Sequence, residues 1–180
     1  KKTYMKIIYK SSDILKPSIF LDRDGVINKV RSAEYITSTK QIKIYPSFID
    51  GFKKLDLDYH LIIITNQSAI NRGFITLDEA IEINNYIAKV LFRNGVYINA
   101  IYFCPHRPDE NCNCRKPKTG LLKEIKKDFK IDLKNSYYIG DKETDVEFAK
   151  NIGVKSIFVL TGEGKRYYKK LKSKPDFILL

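Results

Sequence analysis

The chain has 180 residues, of which 43% are hydrophobic, 12% aromatic and 30% charged, an ordinary globular composition that excludes disorder, collagen-like sequence and a bare coiled coil. That length is a soft prior for one domain, one that buries roughly 70% of the surface its unfolded form exposes, and no apolar run approaches the ~20 residues of a membrane span. The 33 Lys+Arg against 21 Asp+Glu leave a net charge of +12, which favours anionic partners or else reflects a Lys-rich solvated surface.

Residues 1–17 match no element and stand as an N-terminal extension of open role, ahead of a domain spanning 18–180. Ser18 to Leu21 reads as a strand ending at Asp22. Pro46 to Leu55 reads as a short helix with Pro46 at its first turn. His60 to Thr65, apolar without alternation, is a strand buried on both faces. Thr76 to Asn94 is a helix: Thr76 is the N-cap, Glu79 completes a capping box, and Gly95 follows the end. Ala100 to Phe103 is the next strand. Gly120 to Lys130 is a helix with Leu121, Leu122, Ile125 and Phe129 on one face. Ser136 to Ile139 is a strand running into Gly140-Asp141, Glu143 to Asn151 a helix closed by Gly153, and Lys155 to Leu160 a fifth strand. The basic run Lys165, Arg166, Lys169, Lys170, Lys172 and Lys174 reads as an exposed helix, and Asp176 to Leu180 as an added edge strand. Strands alternating with helices in this way predict an α/β fold, a parallel sheet covered by helices on both faces. Ligands in such folds bind beyond the carboxyl ends of the strands.

Polar residues stand at those ends. Asp22-Arg23-Asp24-Gly25 directly follows the first strand. Two carboxylates two residues apart repel, so a cation belongs between or beside them. A hard ion such as Mg²⁺ takes carboxylate and carbonyl oxygens. One carboxylate can then act as nucleophile while the other exchanges a proton with the leaving group. Taken alone, the motif reads more simply as an Asx-turn closing a strand. Gly140-Asp141 follows another strand, with Asp145 one helical turn on, where it could brace a lysine or merely face the helix dipole. Thr65-Asn66-Gln67-Ser68 offers hydroxyls, amides and backbone N–H groups to a phosphate, or is a polar turn. Arg115-Lys116-Pro117 holds two cations in a restrained segment, able to neutralise a transferring phosphoryl group or no more than a basic surface pair.

All three cysteines of the chain fall within eleven residues: Cys104-Pro-His106, five residues, then Cys112-Asn-Cys114. An odd count argues against a closed disulfide framework, and the clustering argues for a metal in a reducing compartment. Three thiolates and one imidazole make a closed tetrahedral Zn²⁺ set with no open position for chemistry. The other histidine, His60, begins an apolar strand and reads as structural.

Taken together and in this order, these motifs resemble the haloacid dehalogenase (HAD) phosphatase superfamily. FLDRDGVIN, TNQSAINRGF, CPH-x₅-CNCRKPKTG and YYIGDKETDVEFAKNIGV resemble, within it, the D,D-heptose 1,7-bisphosphate phosphatase family, over roughly Ser18 to Gly164. The resemblance implies a HAD-like, Rossmann-type central parallel sheet with helices on both faces, no large cap and a small zinc loop at 104–114. It matches Asp22 to the nucleophile that forms an aspartyl-phosphate and binds Mg²⁺, and Asp24 to the general acid/base, with its backbone carbonyl on Mg²⁺. Asp141 matches the remaining protein ligand of Mg²⁺, and Thr65 and Lys116 the groups that stabilise the phosphoryl oxygens. Arg115, Lys142 and the turn of Asn66, Gln67 and Ser68 match substrate-contacting positions, and Asp145 a partner for Lys116. Cys104, His106, Cys112 and Cys114 match the family's structural zinc loop.

The implied reaction is Mg²⁺-dependent removal of the C7 phosphate from D-glycero-D-manno-heptose 1,7-bisphosphate, in cytoplasmic heptose nucleotide assembly for surface polysaccharide such as lipopolysaccharide. A monomer acting on a small phosphorylated sugar, without nucleic acid or membrane as partner, is expected. Histidinol-phosphate phosphatases and DNA 3′-phosphatases share parts of the pattern and are the alternatives. A binding module without activity is disfavoured, since both aspartates of the first motif, Thr65, Lys116 and Asp141 are all present. The stretch KVRSAEYITSTKQIKI between Asn28 and Tyr45 departs from the family's shorter, more acidic counterpart, which contacts the sugar.

Overall fold

In the computed structural model, which describes residues 4–31, 33–55 and 58–179, the elements follow in the order β1 (Met5–Ile8), β2 (Ser12–Lys16), β3 (Ser18–Leu21), α1 (Pro46–Phe52), β4 (His60–Asn66), α2 (Leu77–Arg93), β5 (Ala100–Cys104), α3 (Gly120–Asp128), β6 (Phe129–Ile131), β7 (Tyr137–Gly140), α4 (Glu143–Ile152), β8 (Lys155–Val159), α5 (Gly164–Tyr168) and β9 (Phe177–Leu179). Seven strands form one sheet in the order β1-β5-β4-β3-β7-β8-β9. All neighbours in it are parallel except β1, which runs antiparallel along β5.

The apolar runs lack alternation because both faces of the sheet are covered. Every residue of β3 and β5 is buried. Successive side chains point to opposite faces, which sorts each run into two cores. Ile19, Leu21, Leu61, Ile63, Ile101 and Phe103 pack with Phe48 of α1 and Ile83, Ile87 and Leu91 of α2. Phe20, Ile62, Ile64, Tyr102 and Tyr138 pack on the other face with Leu121, Leu122 and Ile125 of α3 and Phe148, Ala149 and Ile152 of α4. With two helices on each face, the carboxyl ends of the central strands β4, β3 and β7 open together at one edge, as in other doubly wound sheets. Among the described residues no helix is long and apolar enough to cross a membrane.

The capping expectations hold. Thr76 Oγ1 accepts from the Glu79 N–H at 3.2 Å, and the Glu79 carboxylate accepts from the Thr76 N–H at 2.7 Å. Gly153 closes α4 in the left-handed region. Several boundaries differ. Helix α1 stops at Phe52 rather than Leu55, Gly51 in its last turn being a poor helix former. Helix α3 stops at Asp128, and Phe129, placed by its spacing on the helix, lies instead on β6. The reason is a partner invisible to local periodicity: β2 runs parallel to β6 and offers it a hydrogen-bonding edge. Phe129 still reaches the core that the helical spacing implied. The N-terminal extension thus supplies β1 to the main sheet and β2 to a second, two-stranded one. The basic run near the C-terminus is helical only over α5, followed by turns, and β9 adds the outer parallel strand.

Candidate active site

Three strand ends deliver the acidic and hydroxyl groups. β3 runs directly into Asp22, whose N–H still donates to Ile139 O of β7 at 2.9 Å. β4 carries Thr65 and opens into Asn66-Gln67-Ser68, and β7 opens into Asp141. Two glycines make the convergence possible. Gly25 has φ +91°, and a Cβ there would collide with the Asp141 carboxylate. A Cβ on Gly140 would collide with Asp145. Asp22, Thr65, Asp141, Asp145 and Lys116 are all buried, at 5, 1, 0, 2 and 3% exposure.

Lys116 is the hub. Its Nζ lies 2.7 Å from Asp145 Oδ1 and 3.1 Å from Asp22 Oδ1, and donates to Tyr138 Oη at 2.5 Å. Burial by itself would discharge the amine, but the Asp145 and Asp22 carboxylates outweigh it and hold the ammonium above its ordinary pKa. Asn66 fixes the backbone beneath: its Oδ1 accepts from the Lys116 N–H at 3.1 Å and its Nδ2 donates to the Lys116 carbonyl at 3.2 Å. Asp145 is used at both ends, since its Oδ2 accepts from the N–H groups of Asp141 and Lys142, both at 3.2 Å. The bracing of a lysine by Asp145 is therefore present in the structure.

Asp24 is held by a second network. Arg23, 1% exposed, forks onto it through Nε to Oδ1 at 2.9 Å and Nη2 to Oδ2 at 2.8 Å. The rest of the guanidinium donates to Asn84 Oδ1 and Gln67 Oε1 at 2.9 and 3.0 Å. Asn28 and Gln67 also donate to Asp24, and Gln67 Nε2 reaches Thr65 Oγ1 at 3.0 Å. Burial pushes the Asp24 carboxyl up, but the Arg23 charge and these hydrogen bonds outweigh it and keep it below the usual carboxylate range. The amides of Asn66 and Gln67 are engaged within the protein, and Asn66, Gln67, Ser68 and Lys142 all line the open cleft.

The acids fit a divalent cation. Oxygens of Asp22, Asp141 and Asp145 lie within 4.8 Å of one another, and Asp141 Oδ1 is buried without a hydrogen-bond partner. Burial and the Asp22 and Asp145 charges push the Asp141 carboxyl up to about 8, a cost that a cation would relieve. Both oxygens of Asp145 accept hydrogen bonds, which makes Asp22 and Asp141 the candidate side chains to hold it.

Cys104, His106, Cys112 and Cys114 converge as their spacing suggests, with one ligand atom from each within 4.8 Å of the others. The sulfurs are 3.2 to 3.5 Å apart and none is disulfide-bonded. Tetrahedral zinc with ~2.3 Å bonds to sulfur places thiolates about 3.8 Å apart, so the cluster is near the required size. The hydrogen bond from Cys114 and burial push the Cys104 thiol up; a bound cation would favour the thiolate. The loop reaches the site through two bonds. Arg115 Nη1 donates to the His106 carbonyl at 3.0 Å, and the Gln67 N–H donates to the Cys104 carbonyl at 2.8 Å.

The resulting cleft has a volume of about 670 Å³ and is lined by Asp22, Asp24, Thr65, Ser68, Arg115, Lys116, Lys118 and Lys142 among others. Its outer wall comes from the divergent segment after Asn28, through Val30, Arg31, Ala33, Glu34 and Tyr35. That segment is anchored by the Lys29 N–H to Lys43 O bond at 2.8 Å and by buried Ile36. Tyr35 also meets the exposed Phe74 ring at a centroid distance of 5.2 Å. Sequence reasoning missed Arg23, Asn84 and Tyr138. Arg23 stands inside the first acidic motif and Tyr138 inside the strand from Ser136 to Ile139, and nothing local to either marks its partners.

Comparison with known proteins shows which families the chain is similar to. Residues 113–180 match a family model described as HAD-hydrolase-like. The probable D-glycero-D-manno-heptose-1,7-bisphosphate 7-phosphatase of Thermoplasma volcanium is 42% identical over 137 residues, 75% of this chain and 92% of that protein. The D-glycero-beta-D-manno-heptose-1,7-bisphosphate 7-phosphatase of Helicobacter pylori strain J99 is 40% identical over 146 residues, 80% of this chain and 83% of that one. Among solved structures, the D,D-heptose 1,7-bisphosphate phosphatase from B. bronchiseptica, crystallised with magnesium and phosphate, superposes with a TM-score of 0.84 at 28% identity, covering 91% of this chain and 92% of that one. With that degree of identity over most of its length and a cleft of converging acids around one buried lysine, the chain is a phosphomonoesterase and belongs to the D-glycero-D-manno-heptose-1,7-bisphosphate 7-phosphatase family of HAD-like hydrolases.

Proposed function

We propose that this chain hydrolyses the 7-phosphate of D-glycero-D-manno-heptose 1,7-bisphosphate through an aspartyl-phosphate on Asp22, leaving the C1 phosphate in place. The observation that carries the reading is the hub at Lys116, which sets one ammonium against Asp22 at 3.1 Å, beside the turn after β4, in a water-poor site. An Asp22 oxygen attacks phosphorus, the bond to the sugar oxygen breaks, and Asp24 supplies the proton that oxygen needs. Water then attacks the phosphorus of the acyl phosphate, Asp24 takes the water's proton, and Asp22 is regenerated with release of inorganic phosphate. Lys116 and the Thr65 hydroxyl balance the charge on the phosphoryl oxygens. Arg115 and Lys142 supply cations for the phosphates, and Ser68 adds a hydroxyl.

Mg²⁺ would be held by Asp22, Asp141 and the Asp24 backbone carbonyl, and when bound it supplies a further positive charge for the phosphoryl oxygens. Zn²⁺ would be held by Cys104, His106, Cys112 and Cys114 in a structural role, keeping Arg115 in place through His106. Three thiolates call for a reducing compartment, which supports a cytoplasmic setting in heptose nucleotide supply. The chain is read as a monomer acting on a small phosphorylated sugar, without nucleic acid or membrane as partner.

Asp24, as held by Arg23, is in the base form. To donate a proton in the first step the carboxyl must loosen from that fork and take up a proton from solvent, which the second step restores by taking the water's proton. Asp24→Asn keeps the backbone carbonyl but cannot move a proton, so kcat should fall by ~10²–10⁴-fold with the fold intact. Steady-state phosphate release checks this, and a rate within twofold of the parent would remove Asp24 from the chemistry. The substrate assignment is tested by phosphate release from α- and β-heptose 1,7-bisphosphates, histidinol phosphate and 3′-phosphorylated DNA. A heptose bisphosphate should lead in kcat/KM by orders of magnitude. Preference for histidinol phosphate or for DNA ends would reassign the substrate.

A further inference from the structure

We propose that Tyr138 is a positioning residue for Lys116, its hydroxyl fixing where the ammonium meets the transferring phosphoryl group. The proposal rests on the reading of Lys116 given above. Tyr138 stands on β7, opposite Phe20 of β3 in register, and is 1% exposed. Its hydroxyl accepts from Lys116 Nζ at 2.5 Å and donates to the Ile64 carbonyl at 2.9 Å. Ile64 immediately precedes Thr65, so one side chain ties the lysine to the strand end that carries the phosphate-facing hydroxyl. The ring packs edge-on against Phe148 of α4 at 5.2 Å, which fixes its plane, and Lys116 Nζ lies 5.0 Å from its centroid.

An ammonium has three N–H donors, and Lys116 has three acceptors: Asp145 Oδ1, Tyr138 Oη and Asp22 Oδ1. Two of them stay constant through the reaction. The third, Asp22, becomes phosphorylated, and the donor pointing at it is the one positioned to pass to a phosphoryl oxygen. Tyr138 and Asp145 hold the other two donors, so that transfer needs no search for a new rotamer. In the absence of the hydroxyl only Asp145 stays constant as an acceptor once Asp22 is phosphorylated, so the ammonium is free to turn and lean toward Asp145, and its third donor is no longer aimed at the phosphoryl oxygens. A structural tyrosine would act otherwise: its loss would lower stability and leave the chemistry of the folded molecules unchanged.

The test uses the full chain with Mg²⁺ and the panel substrate turned over fastest. Tyr138→Phe should lower kcat about 10–100-fold, the range for a lost hydrogen bond to a charged group, while KM stays within twofold. The second arm is a double-mutant cycle on orthovanadate affinity measured by calorimetry, which needs no turnover. Tyr138→Phe and Lys116→Gln should each weaken vanadate binding, and Tyr138→Phe should add less than twofold once Lys116→Gln is present. Equal costs in both backgrounds, or a Tyr138→Phe kcat within twofold of the parent, would overturn the assignment. Should Tyr138→Phe not fold, Tyr138→Met is read in the same way. Failure of both to fold would assign the hydroxyl to core stability instead and overturn the proposal. Full turnover by Lys116→Gln would reject the reading of the site itself, a result distinct from failure at Tyr138 alone.

Discussion

Asp22→Asn should abolish turnover, by ~10⁴-fold or more, the scale seen when a nucleophile is removed, while the protein remains folded. An amide is not nucleophilic toward phosphorus, and Asn matches Asp in volume. The substitution also takes one negative charge from a crowded cluster, where burial and the Asp22 and Asp145 charges push Asp141 up to about 8. Asp141 should therefore ionise at lower pH in the variant, and thermal stability should not fall. Circular dichroism and a melting curve check the fold, phosphate release checks the rate, and intact mass after acid quench checks for covalent phosphate on the parent and none on the variant. Activity in Asp22→Asn comparable to the parent would end the phospho-aspartate reading.

The second large effect concerns the loop that carries Cys104, His106, Cys112 and Cys114. Purified protein should carry one Zn²⁺ per chain, and Cys114→Ser should cost both stability and rate. Cys114 is 3% exposed and its sulfur is 3.2 Å from Cys104 and 3.3 Å from His106 Nδ1. Three ligands around a cation hold the loop less firmly than four, and binding energy at a structural site is folding energy. A loss of several kcal/mol corresponds to about 10 °C in Tm for a chain of this length. Activity should fall in step, because the loop holds Arg115 through the His106 carbonyl and leads directly into Lys116. Elemental analysis, calorimetry and initial rates decide it. Zinc-free protein with free thiols that is ordered and fully active would show that the cluster holds no metal.

Much of the layout was legible from the residues alone, for definite reasons. The strands β3, β4 and β5 are short apolar runs because both their faces are covered, and β3, β4 and β7 end at polar residues because the sheet's carboxyl edge is where the cleft opens. The Thr76–Glu79 capping box and Gly153 mark helix ends by contacts within a few residues, which local sequence encodes. The four metal-type ligands sit within eleven residues, so their convergence needed little help from the rest of the chain.

What escaped were pairings between distant segments. β1 and β2 are short and half-exposed, and only β5 and β6 make them strands. Phe129 has the spacing of a helix and the partner of a strand. Arg23 looks like surface charge until Asp24, Asn84 and Gln67 surround it and satisfy its donors, which is what allows it to be buried. The lysine at the centre of the site is named by its motif. Its geometry is set by Tyr138, 22 residues away, and by Asn66, 50 residues away. Composition, periodicity and motif spacing thus determined the α/β class and singled out the candidate groups for the chemistry, since these depend on local pattern. Tertiary structure alone decided how those groups are oriented, because a buried polar atom takes whichever partner the fold brings within hydrogen-bond reach.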